Sequence, residues 1–147
     1  MADNTPTEWR RSFELPSERG ASRLVTDELL AQLSQHGWSA DDVFAIHLAA
    51  EEALVNAVVH GNRLDLAKIV YVDCQVTPHV VRLEVTDEGE GFDPARVPDC
   101  TLEERLAQPG GRGMMLMRSF MTRVAYNPRG NSVVLEKRRG VPPEATD

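Results

Sequence analysis

Several features that would assign other functions are scarce or absent in this sequence. It has 16 basic against 23 acidic residues, a net charge of −7, which argues against nonspecific binding to nucleic acid, because that affinity comes from neutralising phosphates with Lys and Arg. No apolar run approaches the roughly 18 residues of a membrane span, and the N-terminal segment lacks the apolar core of a signal peptide. We therefore expect a cytoplasmic protein without direct nucleic-acid or membrane contacts.

Two further absences narrow the chemistry. The two cysteines, Cys74 and Cys100, lack metal-ligand spacing and are expected to be free thiols in a reducing compartment. The P-loop pattern G-x-x-x-x-G-K-[ST] is also missing, so nucleotide binding, if it occurs, must use other motifs. The length of 147 residues is typical of a single domain. We place this domain at residues 11–139, between flexible tails at residues 1–10 and 140–147.

Hydrophobic periodicity predicts the order β-α-α-β-β-lid-α-β-β. Apolar residues at a spacing of four predict a first helix capped by Ser17 and a second capped by Ser39. Strict alternation predicts strands at 11–15, 69–76 and 79–87 and a final hairpin, while residues 92–113 form a long irregular lid. Because the helices should group on one face of a mixed or antiparallel sheet, we expect an α+β fold, a two-layer α/β sandwich.

The second helix carries an unusual polar stripe. Glu52, Asn56 and His60 recur every four residues within an otherwise apolar run, which places them on one helical face. Glu52 could act as a general base, Asn56 offers an oxygen ligand of the kind Mg²⁺ accepts, and His60 could touch phosphate or merely close the helix. The alternative is a structural polar stripe satisfied by a neighbouring helix.

Two glycine-rich motifs follow the stripe. In D-E-G-E-G-F, Asp87 ends a strand with its carboxylate toward the core side, where the amine of adenine would be a suitable donor, and Gly89 and Gly91 permit close approach of a flat ring. In P-G-G-R-G, glycines lead into a helix and expose backbone N–H groups to a phosphate. Each motif alone also describes ordinary turns, whereas their order with the stripe is far more specific.

Together these motifs resemble those of the histidine-kinase-like ATPases (the GHKL superfamily, with the Bergerat ATP-binding fold). The closest resemblance is to the small bacterial anti-sigma factor serine/threonine kinases. E-A-L-V-N-A-V-V-H-G resembles their N box, D-E-G-E-G-F their first glycine box and G-G-R-G-M-M-L-M their second. The resemblance covers residues 13–138, nearly the whole chain.

The resemblance implies roles at the matching positions. Glu52 would be the catalytic glutamate and Asn56 the Mg²⁺ ligand, while Asp87 would read adenine. Gly111 and Gly113 would close the lid over the phosphates; Arg112 between them departs from the pattern and could reach the γ-phosphate or point to solvent. Arg23, on the first helix, matches more weakly a position used to contact partner proteins. The ATP-binding set so implied is Asn56, His60, Asp87, Gly89, Gly91, Gly111, Arg112, Gly113 and Met114.

The function implied by the resemblance is an ATP- and Mg²⁺-dependent protein serine/threonine kinase. It would act as an anti-sigma factor that sequesters an RNA polymerase sigma factor and phosphorylates an anti-anti-sigma protein of the STAS type in a partner-switching system. The alternative is a nucleotide-gated protein-binding module with little or no kinase activity. A third interpretation, an α+β domain with coincidental glycine boxes, would require three ordered motifs to have arisen by chance. The sequence leaves open whether the subunit forms a homodimer.

Overall fold

The structure is a computed structural model that describes residues 8–90, 117–118 and 120–141. Within these residues the described strands form a five-stranded sheet in the order β1-β2-β3-β5-β4, with every pairing antiparallel. The elements are β1 (Trp9–Pro16), α1 (Arg23–Gln35), α2 (Ala40–Val55) running on into a π-helical turn (Asn56–Gly61), β2 (Ile69–Val76), β3 (Val80–Thr86), β4 (Arg123–Tyr126) and β5 (Ser132–Arg138).

Alternation along the strands gives the sheet one buried and one open face. In β2 the buried side chains are Val70, Val72, Cys74 and Val76, and the residues between them are exposed or half-buried. The helices cover the buried face, where α1 contributes Val25, Leu29 and Leu33, each 0% exposed. The predicted α+β fold, with helices on one face of the sheet, is confirmed.

The two long helices begin in different ways. Ser39 caps α2 as predicted, because its hydroxyl accepts a hydrogen bond from the backbone N–H of Asp42 at 3.2 Å. The predicted cap of the first helix is wrong: α1 begins at Arg23, not after Ser17. Ser17 is buried and donates its hydroxyl proton to the carbonyl oxygen of Lys68 at 2.5 Å. A tertiary contact to the start of β2 therefore uses the hydroxyl that a cap would need.

The predicted domain boundaries are partly covered by the described residues. Trp9 and Arg10, assigned to the N-terminal tail from the sequence, are the first residues of β1, and Trp9 packs against the core. Met117 and Met121 are buried as expected for the third helix. The predicted lid at residues 92–113, the tail residues 1–7 and 142–147, and the beginning of the third helix lie outside the described residues.

The helical stretch at residues 40–61 is long and apolar enough, by length and composition, to cross a membrane. In the structure it packs against α1, β3 and β5 as the central helix of the core. Core helices of soluble domains commonly meet the same criterion, so this stretch is weak support for a membrane span.

Candidate functional site

The polar stripe lies where α2 changes into the π-helical turn that begins at Asn56. The wider turn is closed by the backbone N–H of Asn62, which donates to the carbonyl oxygen of Ala57 at 2.8 Å. Glu52 and Asn56 are half-buried and His60 is exposed. The stripe is therefore less buried than its apolar neighbours suggested, because it runs along the edge of the core.

Glu52 and Asn56 keep their polar groups available. Among the residues that the structure describes, neither side chain has a hydrogen-bond partner, and neither has His60. The neighbouring Glu51 differs: its carboxylate accepts a hydrogen bond from the Ser22 hydroxyl at 3.1 Å and so ties α2 to the start of α1. Glu51 is thus a structural residue, whereas the side chains of Glu52 and Asn56 make no such contact with the described residues and can engage a ligand.

Asp87 follows β3, and hydrogen bonds fix both its backbone and its side chain. Its N–H donates to the carbonyl oxygen of Asn131 at 2.9 Å, and its carboxylate Oδ1 accepts from the N–H of Gly89 at 2.8 Å. Burial raises the pKa of this carboxyl above its ordinary value, while the Gly89 hydrogen bond and the cations of Arg129 and Lys68 act to lower the pKa. A partly desolvated carboxylate is well suited to accept hydrogen bonds from an amine.

Gly61, the last residue of the π-helical turn that continues α2, packs closely against Asp87. A Cβ added to Gly61 would lie 2.3 Å from Oδ2 of Asp87, and one added to Gly89 would lie 2.1 Å from the Gly61 carbonyl oxygen. Gly89 requires glycine for space because the atom it would meet is backbone, whereas a side chain at position 61 would force the Asp87 carboxylate to move. The contact between Gly61 and Asp87 joins residues 26 positions apart in the sequence, and no sequence motif predicted it.

Two asparagines near Asp87 were also missed. Asn62, placed in a polar loop from the sequence, is 0% exposed, and its side-chain oxygen accepts a hydrogen bond from the N–H of Glu88 at 2.7 Å. Asn131, in the loop before β5, donates from Nδ2 to the carbonyl oxygen of Asp87 at 2.9 Å. Arg129 in the same loop donates to the carbonyl oxygen of Gly89 at 3.2 Å. The available sequence signal was the density of Asn and Gly at residues 127–131, N-P-R-G-N; the loop that begins at Asn62 has no comparable signal.

The structure therefore brings together Asp87, Gly89 and the end of the stripe helix. Arg23 is the exposed first residue of α1, near the Ser22–Glu51 hydrogen bond. Within the described part of the chain, no group of three or more His, Cys, Asp and Glu side chains could hold a metal ion. The remaining predicted site residues lie outside the described residues: Gly91, Gly111, Arg112, Gly113 and Met114.

Comparison with known proteins defines the class. A model of the histidine kinase-like ATPase domain matches residues 15–137, and the chain belongs to this family. The predicted family membership is confirmed.

Several individual proteins are similar to this chain in sequence. The chain is 36% identical over 94 residues to the serine/threonine-protein kinase BtrW of Bordetella bronchiseptica, covering 63% of this chain and 66% of the relative. It is 31% identical over 137 residues to an anti-sigma F factor of Geobacillus thermodenitrificans, covering 88% of this chain and 91% of the relative. An anti-sigma F factor of Clostridium perfringens is 26% identical over 136 residues.

Proposed function

We propose that this protein is an ATP-dependent serine/threonine-protein kinase that acts as an anti-sigma factor in a cytoplasmic partner-switching system. It phosphorylates a STAS-type anti-anti-sigma protein and binds an RNA polymerase sigma factor. The observation that carries the proposal is the packed junction of Gly61, Asp87 and Gly89 at the end of the helix that carries Glu52 and Asn56, whose side chains have no hydrogen-bond partner among the described residues. Two comparisons support the proposal: the chain belongs to a family of ATPases, and it is similar to proteins named as a serine/threonine-protein kinase and as anti-sigma F factors.

The purine end of the site is built for recognition of adenine. Asp87 accepts the hydrogen bond of the Gly89 N–H through Oδ1, which leaves acceptor capacity on the carboxylate for the 6-amino group of adenine. Gly61 and Gly89 lack side chains next to this carboxylate, so the end of the helix packs directly against Asp87 and holds its carboxylate in place. Gly91 is assigned to the same purine pocket.

The stripe provides the metal and base functions. Mg²⁺ prefers few protein ligands together with phosphate and water oxygens. The amide of Asn56 fits that requirement, because it is half-buried and has no hydrogen-bond partner in the part of the chain that the structure describes. Mg²⁺, when bound, neutralises charge on the phosphate oxygens. Glu52 lies one helical turn before Asn56 and is proposed to orient the substrate hydroxyl and accept its proton.

The other predicted residues complete the proposal. Gly111 and Gly113 are assigned to the lid over the phosphates and Met114 to ATP binding. Arg112 is assigned to the γ-phosphate, and His60 to the phosphate side of the pocket. The exposed Arg23 is assigned to contacts with the protein partners.

The test is phosphoryl transfer from Mg·ATP to a STAS-domain protein of the same organism, followed by mass spectrometry of that protein. We expect one phosphoserine or phosphothreonine with the wild type, and a loss of roughly 100-fold or more in rate with Glu52→Gln, the range of general base catalysis. Glu51→Gln is the matched control and should retain transfer. Partner binding that depends on ATP, without any phosphoprotein, would instead support the nucleotide-gated binding module.

A further inference from the structure

The segment from Asp87 to Gly89 is held on its β2 side by Asn62. Besides accepting from the Glu88 N–H, this buried amide donates from Nδ2 to the Ser17 hydroxyl oxygen at 2.9 Å and to the Ile69 carbonyl oxygen at 3.1 Å. The partners fix the orientation of the amide, because the Ile69 oxygen can only accept and the Glu88 N–H can only donate. Glu88 adds a bond of its own, since its carboxylate accepts from the Ile69 N–H at 2.5 Å.

The same segment is held on its β5 side by Asn131. This residue forms a reciprocal pair with Asp87, in which its carbonyl oxygen accepts from the Asp87 N–H and its Nδ2 donates to the Asp87 carbonyl oxygen, both at 2.9 Å. Asn131 is itself fixed by Asn127, whose Nδ2 donates to the Asn131 side-chain oxygen at 2.8 Å. Asn127 also accepts from three backbone N–H groups of the loop, those of Gly130, Asn131 and Ser132.

These contacts go beyond what the end of a β-strand needs. The β3 ladder with β2 and β5 stops at Thr86, so Asp87 and Glu88 lie past the last paired residue. Without the two asparagine side chains, the Asp87 carbonyl oxygen and the Glu88 N–H would be bound by water, and the Asp87 carboxylate could move. A hydrogen bond from a carboxylate to a ligand amine depends on distance and direction, so a mobile carboxylate would discriminate poorly.

We propose that Asn62 and Asn131 are positioning residues that hold Asp87 for adenine and thereby determine the preference of the site for a purine with a 6-amino group. This inference rests on the proposed function, in which Asp87 contacts the base. Neither asparagine touches the nucleotide; both act through the backbone of residues 87–88.

The experiment compares two ligands by calorimetric titration in the presence of Mg²⁺: ADP and purine riboside 5′-diphosphate, its analogue without the 6-amino group. The wild type should prefer ADP by roughly tenfold or more, the worth of one hydrogen bond to a charged group. Asn62→Ala and Asn131→Ala should each lower this ratio by roughly fivefold or more, toward the value of Asp87→Asn. A purely structural role would weaken both ligands equally and leave the ratio unchanged.

Trp38→Phe is the control for general destabilisation. It removes the 2.8 Å hydrogen bond from the Trp38 indole N–H to the carbonyl oxygen of Thr77, at the opposite end of β2, and should leave the ratio intact. If Asn62→Ala fails to fold, Asn131→Ala alone tests the inference, because Asn131 is only half-buried. A wild type without preference for ADP would contradict the role of Asp87, whereas a wild-type preference that persists in the asparagine variants would contradict this inference alone.

Discussion

The two ends of the candidate site differ in how their polar groups are engaged. At the purine end, Asp87 is tied through its N–H, its carbonyl oxygen and its carboxylate. At the stripe, Glu52 and Asn56 have no side-chain partner among the described residues. The difference teaches that the group proposed for base recognition is pre-organised in the fold, whereas the groups proposed for metal binding and proton transfer have no partner among the described residues and are left for the ligand. Variants at the two ends should therefore separate stability, binding and transfer.

The largest effect is expected from Gly61→Ala. The new methyl group would overlap the Asp87 carboxylate at 2.3 Å, so we expect nucleotide binding to be lost and the free energy of unfolding to fall by roughly 1–3 kcal/mol, as for other overpacked sites. Denaturant unfolding and calorimetry with Mg·ADP measure the two quantities.

The matched variant at the stripe is Asn56→Ala. Because the Asn56 amide has no partner to lose among the described residues, stability should change by no more than about 0.5 kcal/mol. Binding should lose only the part that depends on Mg²⁺, as shown by titrations with and without EDTA. Equal destabilisation by the two substitutions would remove the contrast between the two ends.

Asp87→Asn should weaken binding without weakening the fold. Burial raises the pKa of Asp87, so the native state binds a proton more tightly than the unfolded chain does. The associated stability is therefore present below the unfolded pKa and is lost as pH rises through the folded pKa. The ionised carboxylate thus costs stability at neutral pH, and asparagine, which keeps an acceptor for the Gly89 N–H, removes that cost.

The measurement for this variant is urea unfolding at pH 4 and pH 7 together with ADP titration. The stability of Asp87→Asn relative to the wild type should increase from pH 4 to pH 7, while ADP affinity at pH 7 falls by roughly tenfold or more. A variant that is less stable than the wild type at pH 7 and still binds ADP normally would contradict both expectations.

The smallest effect is expected from Arg129→Gln. The Arg129 cation lowers the pKa of Asp87, so its removal should raise that pKa further. The proposed contact with adenine uses the ionised carboxylate, so the pH at which ADP affinity declines on acidification should move upward. Arg123→Gln, at an exposed position at the start of β4, is the control and should leave this pH profile unchanged.

The fold was predictable where the signal was local. Alternation located β2 and β3, and the spacing of Val25, Leu29 and Leu33 located α1. The start of α1 was missed because the hydroxyl of Ser17, a residue with cap propensity, bonds instead to Lys68, 51 residues away.

The residues of the candidate site were predictable where they belong to contiguous sequence motifs. The stripe and the first glycine box are contiguous motifs, and their residues Glu52, Asn56, Asp87 and Gly89 could be named. The π-helical turn at Asn56 could not, because its sequence is also compatible with an α-helix. Nor could the asparagine contacts, which join residues 26 and 44 positions apart and leave no periodic signal.

The most direct test of the central claim measures binding and transfer in parallel for Asp87→Asn and Glu52→Gln. Each protein is titrated with Mg·ADP and then assayed with Mg·ATP and the STAS-domain substrate. The proposed division of labour predicts that Asp87→Asn loses affinity for ADP, and that Glu52→Gln binds ADP like the wild type but transfers phosphate roughly 100-fold or more slowly. Full transfer by Glu52→Gln, or wild-type ADP affinity in Asp87→Asn, would contradict it.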